Sequence, residues 1–417
     1  MNQRIITKQL TKAKRTSQIC KVFEVKVDKS HLSTFALKNL NSLFIQAKYY
    51  YNYCISQSKL DNASTTIKKV DVKVIDHFEE RELFALTGQM KQSIKTRIFS
   101  NILTLSSLKK KGYKVGKIDF KSHVDSIPLK QYNKTFFVNF DNSTIRIQGL
   151  KKKLKVNGLN QIPKNSEIAN ALLIKKNNDF YLNITTYQDK VQNCLLEDNS
   201  VGIDFGCQTQ LTLSNGLKIE FQIPISKKLK RLDRKIMKNG RNKLKSKNKT
   251  KDQIKRQKEY TRLTNQKKDI KHKIVRAITQ NYKRVCFQDE NIRAWHSGNH
   301  GKKIQNTSIG GIIRDLKLKS HTPIEVDKFF PSTQLCPQCG QRNKLDISDR
   351  TYICKFCNYV KDRDLKSSIC ILEEGLKNNK YIRAGSTDSK PLEIDTSACN
   401  IFNSLKRIKN VHVSFCQ

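Results

Sequence analysis

The order of apolar and polar residues predicts strands and helices in turn over the N-terminal half of the chain. Alternation over residues 20–30 predicts a strand, whereas apolar residues recur every three or four positions over 31–58 and 82–108, which predicts two helices. Alternating segments return at 134–149, 152–158 and 171–188. Strands on both sides of the helices predict a small β-barrel or sheet whose sequence is split by a helical insertion.

Near residue 200 the pattern changes to strands that alternate with helices. The segment 200–222 contains a strand, a turn and a second strand, with a hairpin signal at Asn215 and Gly216. A strand, a loop, a helix, a strand and a last helix are then predicted at 284–290, 291–303, 308–320, 323–330 and 365–379. We therefore expect an α/β domain of the βαβ type with insertions, whereas the residues after 381 show no clear pattern.

The charge of the chain indicates what kind of partner it binds. Its 417 residues include 81 Lys and Arg against 36 Asp and Glu, which gives a formal net charge of +45. A charge of this size exceeds what solubility needs and predicts a polyanionic partner, above all nucleic acid. A solvated surface, or a structural protein of the ribosomal type, would be basic as well.

The basic excess is greatest over residues 226–284, where 24 Lys and Arg face 4 Asp and Glu. Apolar residues at helical spacing on either side of a polar turn predict a helical hairpin there. Because so much like charge repels itself unless phosphates neutralise it, we expect phosphate contacts from this hairpin. The side chains expected to make them are Lys227, Lys230, Arg234, Lys247, Lys255 and Arg256.

The cysteines predict a metal site. Twelve cysteines without a secretory leader or a membrane-spanning apolar run indicate reduced thiols, so we expect a cytoplasmic protein. Four of them have the spacing C-x2-C-x14-C-x2-C, which is typical of a zinc ribbon: Cys336, Cys339, Cys354 and Cys357. Four thiolates close the coordination of one Zn²⁺, so the expected role is structural.

Three acids stand at strand ends or helix starts, where carboxylates from distant segments can meet. Asp204 follows an apolar run, Glu290 ends an apolar-rich strand, and Asp364 opens the last helix. Carboxylates that converge at one edge of a sheet can hold two Mg²⁺ ions for phosphodiester chemistry. Acids in such positions also serve as turn or capping residues, and spacing does not separate the two uses.

The order of these motifs resembles a known family. "VGIDFG" followed by "TLSNG", "QDENIRAW", "FPSTQLCPQCG" and "CKFCNYVKDRD" resemble the transposon-encoded TnpB (OrfB) nucleases, relatives of the compact type V CRISPR effectors. The likeness runs over residues 200–372 and is looser in the N-terminal half. The cysteine-rich stretch with its DRD is the most specific part.

The resemblance implies an RNase H-like (RuvC) nuclease domain and a guide RNA derived from the transposon end. It implies cleavage of double-stranded DNA beside a short transposon-adjacent motif, with Asp204, Glu290 and Asp364 as the catalytic acids that bind two Mg²⁺ ions. Guide pairing would read the sequence, and the protein would read shape and a few bases. The resemblance further implies a prokaryotic protein that is a monomer with bound RNA, has no membrane partner and associates with the nucleoid when bound to DNA.

The resemblance also implies a division into domains. The expected parts are a wedge-like β-barrel (1–30 and 115–197), a helical recognition insertion (31–114), a RuvC-like domain (198–332 and 361–380) containing the basic hairpin (226–284), a zinc ribbon (333–360) and a C-terminal tail (381–417).

The second motif of the family fits this chain in two frames. One places Glu290 at the acid and the other places Gln288 there, and we favour Glu290, with Asp289 as the alternative. Within the DRD, Asp364 is favoured over Asp362, and the arginine between them, Arg363, is expected to contact nucleic acid.

Two further positions depart from the family pattern. Lys366 and the two serines after it replace the usual Asn-Ala-Ala, and a lysine there would either contact DNA or weaken the metal site. Asn358 stands where glycine is frequent after the last cysteine, which bears only on the local turn.

Two N-terminal segments resemble those that the family uses near its DNA motif. Aromatic residues among basic and amide side chains can stack on bases and read groove edges, but tyrosines that pack a helix core would give the same pattern. The nucleic-acid contacts expected here are Lys48, Tyr49, Tyr50, Asn52, Tyr53, Gln89, Lys91, Gln92, Lys95 and Arg97.

The sequence therefore predicts an RNA-guided, Mg²⁺-dependent DNA endonuclease. The alternative is an RNA-guided DNA-binding repressor of the same architecture with weak or no cleavage. A recombinase acting on transposon ends would share the carboxylates, but the chain has no further feature that indicates strand transfer.

Overall fold

The computed structural model describes residues 3–177, 179–189, 199–238, 247–298, 301–346, 349–377 and 396–416. The chain divides into two compact units, Met1–Gln192 and Asn193–Gln417. In the described part of the chain, no helix is both long and apolar enough to cross a membrane.

The first unit has three helices and nine strands among its described residues. They are α1 (Gln3–Thr16), β1 (Gln18–Val27), α2 (Thr34–Ser56), β2 (Lys69–Val74), β3 (His77–Glu82), α3 (Gly88–Lys110), β4 (Ser126–Leu129), β5 (Phe136–Asn139), β6 (Thr144–Ile147), β7 (Leu154–Asn157), β8 (Glu167–Lys176) and β9 (Asp179–Asp189).

Seven of these strands form one antiparallel sheet in the order β4-β8-β9-β1-β7-β6-β5. Its two outer strands, β4 and β5, are consecutive in the chain, and the short connection between them contains a bridge from Tyr132 to Phe136. The sheet is therefore a nearly closed barrel. β1 lies at its centre although α2 and α3 separate it from its partners in sequence.

The helices α2 and α3 begin at side-chain caps. Ser33 and Thr87 accept hydrogen bonds from the backbone N–H groups of Ala36 and Met90, as N-cap residues do. The prediction that the second helix starts at residue 82 was wrong, because β3 occupies the chain up to Glu82. The hairpin β2–β3 and the helix α1 were not predicted, although "KVDVKV" alternates as a strand should.

The second unit contains eight strands and seven helices among its described residues. They are β10 (Ser200–Phe205), β11 (Leu211–Leu213), β12 (Leu217–Phe221), α4 (Lys227–Lys238), α5 (Lys247–Asn281), β13 (Arg284–Gln288), α6 (Ile292–Ser297), α7 (Gly301–Asn306), α8 (Ile309–Lys319), β14 (Thr322–Val326), β15 (Thr351–Ile353), β16 (Val360–Asp362), α9 (Arg363–Lys377), α10 (Thr396–Leu405) and β17 (Val411–Phe415).

The main sheet of this unit has the order β14-β13-β10-β11-β12-β17. β10, β13 and β14 run parallel, whereas β11 and β12 fold back as antiparallel neighbours. Parallel strands present their carboxyl ends at one edge of the sheet, so the residues after β10 and β13 emerge side by side. Ile203 of β10 is in register with Phe287 of β13, which sets Asp204 and Glu290 near each other at that edge.

Two segments of the second unit differ from the sequence prediction. The predicted loop after Glu290 contains the short helices α6 and α7. The end of the chain, for which no element was predicted, contains α10 and β17, and β17 pairs with β12 as an outer strand of the main sheet. Its pairing partner lies about two hundred residues earlier, so the local pattern alone does not show that it is a strand.

Candidate active site and metal centre

Asp204 lies on β10 where α9 crosses the strand. Gly202, two residues earlier, allows this close crossing, because a Cβ there would lie 2.1 Å from the Ser368 carbonyl oxygen and 2.8 Å from the Leu372 Cβ. Any larger residue at 202 would push α9 away from β10. The glycine of "VGIDFG" thus allows the helix that carries Asp364 to pack closely against the strand that carries Asp204.

The two acids of the DRD have different surroundings. Asp362 ends β16 and caps α9, since its Oδ1 accepts the Leu365 backbone N–H at 3.0 Å. Its Oδ2 lies 2.7 Å from the Lys218 ammonium. Asp364, in the first turn of α9, is partly buried, and its Oδ1 lies 3.4 Å from the Arg363 Nε. Both carboxylate oxygens of Asp362 therefore make structural contacts. Asp364 is the acid whose charge acts on Asp204 of β10.

Gln288 and Glu290 also differ in their contacts. Gln288 is buried, and its amide donates to the carbonyl oxygens of residues 327, 328 and 330 at 2.8–3.2 Å. Gln288 therefore fixes the segment after β14, and its amide hydrogens are used in these hydrogen bonds. Glu290 is partly buried, whereas Asp289 is exposed and lies 3.3 Å from the Lys317 ammonium. These positions favour the frame that puts Glu290 at the acid.

The three acids influence one another electrostatically. Burial raises the pKa of Asp204 well above its usual range, and the nearby charges of Asp364 and Glu290 raise it further. Burial and the neighbouring Asp289 raise the pKa of Glu290. Like charges held together in a poorly solvated site favour a proton or a bound cation.

The four cysteines form a compact tetrad. Their Sγ atoms all lie within 4.8 Å of one another, and no other set of three or more Cys, His, Asp or Glu side chains in the described ranges does so, the three acids included. The Cys336–Cys357 and Cys339–Cys354 sulfur distances are 3.6 Å. Tetrahedral Zn–S bonds of about 2.3 Å place sulfurs about 3.8 Å apart, so the tetrad fits a zinc ion.

The turns around the tetrad suit thiolate ligands. Burial disfavours the Cys354 thiolate, but the backbone N–H groups of Phe356 and Cys357 donate to it and bring its pKa to about 5. Asn358 adopts the left-handed conformation with φ of 57°, which asparagine tolerates better than most residues. The replacement of glycine at 358 therefore leaves the turn intact.

Lys366 does not reach solvent. It is completely buried, its Nζ donates to the Ser332 carbonyl oxygen at 2.8 Å, and it lies 4.2 Å from the centroid of the Tyr352 ring. Burial lowers the pKa of Lys366 to about 8. A contact of this side chain with DNA, one of the two predicted roles, does not agree with its burial.

The basic hairpin of α4 and α5 presents most of its predicted residues to solvent. Lys227, Lys230, Arg234 and Lys255 are exposed. Arg256 pairs with Asp233 and stacks over Tyr260, so it stabilises the hairpin. Lys247 begins α5, and the turn predicted between the helices falls mainly outside the described residues.

Several residues predicted to bind nucleic acid in the first unit are structural. Tyr50 is completely buried and donates to the Ser64 carbonyl oxygen, so its ring offers no face to a base. Lys91 is buried and donates to the Ile67 carbonyl oxygen. Both predictions were wrong because a helix core with tyrosines and lysines has the same pattern as a base-stacking surface.

Three further predicted residues bind the protein backbone. Lys95 donates to the carbonyl oxygens of residues 61 and 63 at 3.0 and 2.9 Å. Arg97 donates to Ser126, and Asn52 exchanges two hydrogen bonds with the Lys121 backbone. Gln89 and Gln92 are exposed at the start of α3.

A groove between α2 and the hairpin β2–β3 contains the remaining predicted residues. It has a volume of about 950 Å³, and Lys48, Tyr49 and Tyr53 line one side. Other lining residues were missed from the sequence and add basic and aromatic side chains: Lys69, Lys73, Phe78, Phe120 and Lys121. Aromatic faces among ammonium groups suit a single-stranded or unstacked nucleic acid.

Two family models match parts of the chain. The one described as "Cas12f1-like, TNB domain" matches residues 313–371, and the one described as "Probable transposase" matches residues 184–294. The first match includes the cysteine tetrad and Asp364, and the second includes Asp204 and Glu290.

Curated relatives match at low identity. A protein of Streptomyces pristinaespiralis named "Putative RNA-guided DNA endonuclease" is 25% identical over 268 residues, which are 62% of this chain and 65% of that protein. The "TnpB-like protein L79" of Acanthamoeba polyphaga mimivirus is 26% identical over 200 residues, 43% of this chain and 38% of that protein. The chain thus spans less than two thirds of the length of either relative.

One solved structure is similar over most of the chain. The "Cryo-EM structure of the Cas12f1-sgRNA-target DNA complex" matches with a TM-score of 0.43 and 15% identity, covering 81% of this chain and 80% of that chain. A likeness of this degree supports no conclusion about the present protein.

The chain thus resembles a transposase over residues 184–294 and a TNB domain over residues 313–371, and the second stretch contains a zinc-ribbon-like cysteine tetrad ahead of α9. The named relatives and the order of the motifs point to one group of transposon-encoded proteins. Over these residues the chain is similar to the TnpB (OrfB) proteins.

Proposed function

We propose that this protein is an RNA-guided DNA endonuclease that hydrolyses phosphodiester bonds with two Mg²⁺ ions. The observation that carries the proposal is that Asp204 on β10, Glu290 after β13 and Asp364 on α9 lie near one another. The charges of Asp364 and Glu290 contribute to the raised pKa of Asp204, as expected of neighbouring carboxylates. Carboxylates are the ligands that Mg²⁺ prefers. Three acids on separate rigid elements can hold such ions at fixed positions.

The strand order of the second unit supports an RNase H-like (RuvC) domain. Counted along the chain from β10 to β14, its first five strands lie in the spatial order 3-2-1-4-5, with the last two parallel to the first. Under this proposal the zinc ribbon is an insertion between β14 and α9, and the basic hairpin is an insertion between β12 and β13.

Asp204, Glu290 and Asp364 would hold the Mg²⁺ ions, which when bound would supply activation of a water molecule and stabilisation of the leaving oxygen. The chain contributes the positions of the three carboxylates, which must be ionised to bind the ions. The exposed lysines of α4 and α5 neutralise phosphates of the bound strands. The groove between α2 and β2–β3 provides stacking surfaces near the proposed DNA motif.

An RNA-guided repressor is the second candidate. It is favoured by one observation, that the oxygens of the three acids do not lie within 4.8 Å of one another as the thiolates do. A site that stays open would bind guide and target without cleavage.

Purification and one cleavage assay distinguish the two. We expect RNA to copurify with the wild type, and the complex to linearise a matching plasmid only with Mg²⁺, with no linear product from Asp204→Ala. Guide-dependent binding without linearisation would support the repressor. Protein that retains no RNA would contradict both.

A further inference from the structure

The ammonium group of Lys366 is buried, and burying a charged group costs free energy. It has no exposed surface, no carboxylate of the described residues lies within ion-pair distance of it, and the charge of Asp204 acts on it only from further away. A buried charge without a direct ion-pair partner costs several kcal/mol unless hydrogen bonds and a polarisable neighbour offset it. The Ser332 carbonyl oxygen and the Tyr352 ring supply these contacts.

One contact of Lys366 leads to the cysteine tetrad. Tyr352 is completely buried in the ribbon, and its hydroxyl accepts a hydrogen bond from the Asn343 amide at 2.8 Å. The same amide nitrogen lies 3.4 Å from the Cys354 Sγ. Asn343 therefore bridges a metal-ligating sulfur and the ring on which Lys366 rests, so the packing of Lys366 depends on an intact tetrad.

The other contact leads to the end of β13, just before Glu290. The Ser332 hydroxyl donates to Gln288 at 3.1 Å, and Gln288 is further fixed by the three carbonyl oxygens it binds. Gln288 ends β13, two residues before Glu290. Lys366 itself lies on α9, two residues after Asp364. Lys366 thus joins α9, which carries Asp364, to the end of β13, two residues before Glu290.

We propose that Lys366 is a positioning residue that couples the zinc ribbon to the carboxylate site. It fixes α9 relative to the end of β13, and with it the separation of Asp364 and Glu290, so an intact ribbon gives the site its affinity for divalent cations. The inference rests on the proposed function, because it takes the three acids as ligands of a divalent ion.

The test measures Mn²⁺ binding to the full-length, zinc-loaded protein by electron paramagnetic resonance, with no DNA cleavage involved. The part of the binding that Asp204→Ala removes defines the carboxylate site. We expect Lys366→Met to weaken this binding about tenfold while zinc content stays unchanged, as is common when a group that orients metal ligands is lost.

Two variants give this experiment its controls. Arginine can donate to the Ser332 carbonyl and stack on Tyr352, so Lys366→Arg should recover most of the Mn²⁺ affinity, which a nonspecific loss of stability would not do. Lys377→Met changes an exposed lysine on the same helix and should bind Mn²⁺ as the wild type does.

A milder change covers the case in which Lys366→Met does not fold. Ser332→Ala removes only the hydroxyl that reaches Gln288 and leaves the carbonyl that Lys366 binds. It should weaken Mn²⁺ binding several-fold, less than Lys366→Met, with full zinc content.

Equal Mn²⁺ affinity in the wild type, Lys366→Met and Ser332→Ala at equal zinc content would overturn the inference. So would a wild type without Asp204-dependent Mn²⁺ binding. If the wild type binds Mn²⁺ through Asp204 but never cuts DNA, only the proposed function is contradicted. The effect of Lys366 on Mn²⁺ affinity can still be measured in that case.

Discussion

The Lys218 ammonium on β12 lies 2.7 Å from the Asp362 carboxylate at the end of β16. Asp362 also caps α9 through the Leu365 N–H. This ion pair attaches the exit of the zinc ribbon to the main sheet at the point where α9 begins. The first acid of the DRD therefore has a structural contact, and the second acid, Asp364, faces the junction with β10.

The two acids should respond differently to removal. Asp364→Ala is expected to abolish plasmid linearisation, because it removes a proposed Mg²⁺ ligand. Asp362→Ala removes a helix cap worth about 1 kcal/mol and should leave measurable cleavage. Linearisation rates at saturating Mg²⁺ test this. Complete loss in Asp362→Ala with full activity in Asp364→Ala would reverse the assignment.

The frame of the second motif can be decided in the same assay. Glu290→Gln keeps size and removes the charge, so we expect no linear product. Asp289→Asn changes an exposed acid whose contact is Lys317, and cleavage should stay within about threefold, as exposed ion pairs contribute little. Inactive Asp289→Asn beside active Glu290→Gln would favour Asp289 as the acid.

The cysteine tetrad should bind one zinc ion that folds the ribbon. Cys354→Ser removes a buried ligand, so bound zinc and soluble yield should both fall. Cys399→Ser, an exposed cysteine of the same unit outside the tetrad, is the control and should keep one zinc per chain. Elemental analysis of the purified proteins gives the ratio. Unchanged zinc in Cys354→Ser would refute the tetrad.

A buried ion pair between α5 and α8 should make the second unit sensitive to acid. Lys271 and Asp315 lie 2.7 Å apart with both side chains almost fully buried. Burial would raise the pKa of Asp315, but hydrogen bonds from Lys271 and Arg314 lower it to about 2. A carboxyl with a lowered folded pKa stabilises the fold above its unfolded pKa, and this contribution is lost as pH falls.

Asp315→Asn should therefore lower the free energy of unfolding by about 2 to 3 kcal/mol at neutral pH. The difference from the wild type should shrink as pH falls from about 4 to about 2, through the unfolded and then the folded pKa. Urea unfolding followed by Trp295, the one tryptophan of the chain, reports on this unit. Asp269→Asn breaks an exposed pair and should change little; a pH-independent loss in Asp315→Asn would contradict the ion-pair account.

The features predicted best from the sequence were those set by residue spacing within one segment or by the order of motifs along the chain. The cysteine spacing predicted the tetrad, and the local pattern predicted Asp204 on a strand and Asp364 at a helix start, whereas Glu290, predicted to end a strand, lies two residues beyond β13. The helices α2 and α5 followed from apolar periodicity. These features depend on spacing within one segment, or on motifs in a fixed order.

Features that depend on distant partners were not predicted. The pair Lys218–Asp362 joins residues of opposite charge that nothing local connects, and β17 becomes a strand through its pairing with β12. The burial of Lys366 follows from a tyrosine and a carbonyl contributed by other segments. Tyr50 was misjudged for the same reason, since a helix sequence alone does not say which of its faces is covered.

The most direct test of the central claim is the linearisation rate of a guide-matched plasmid by the wild type, Asp204→Asn, Asp364→Asn and the double variant. If the acids form one two-ion site, each single variant should lose nearly all activity, and the double variant should be no slower than either. Full activity in either single variant, or linearisation by the wild type without any divalent cation, would contradict the account.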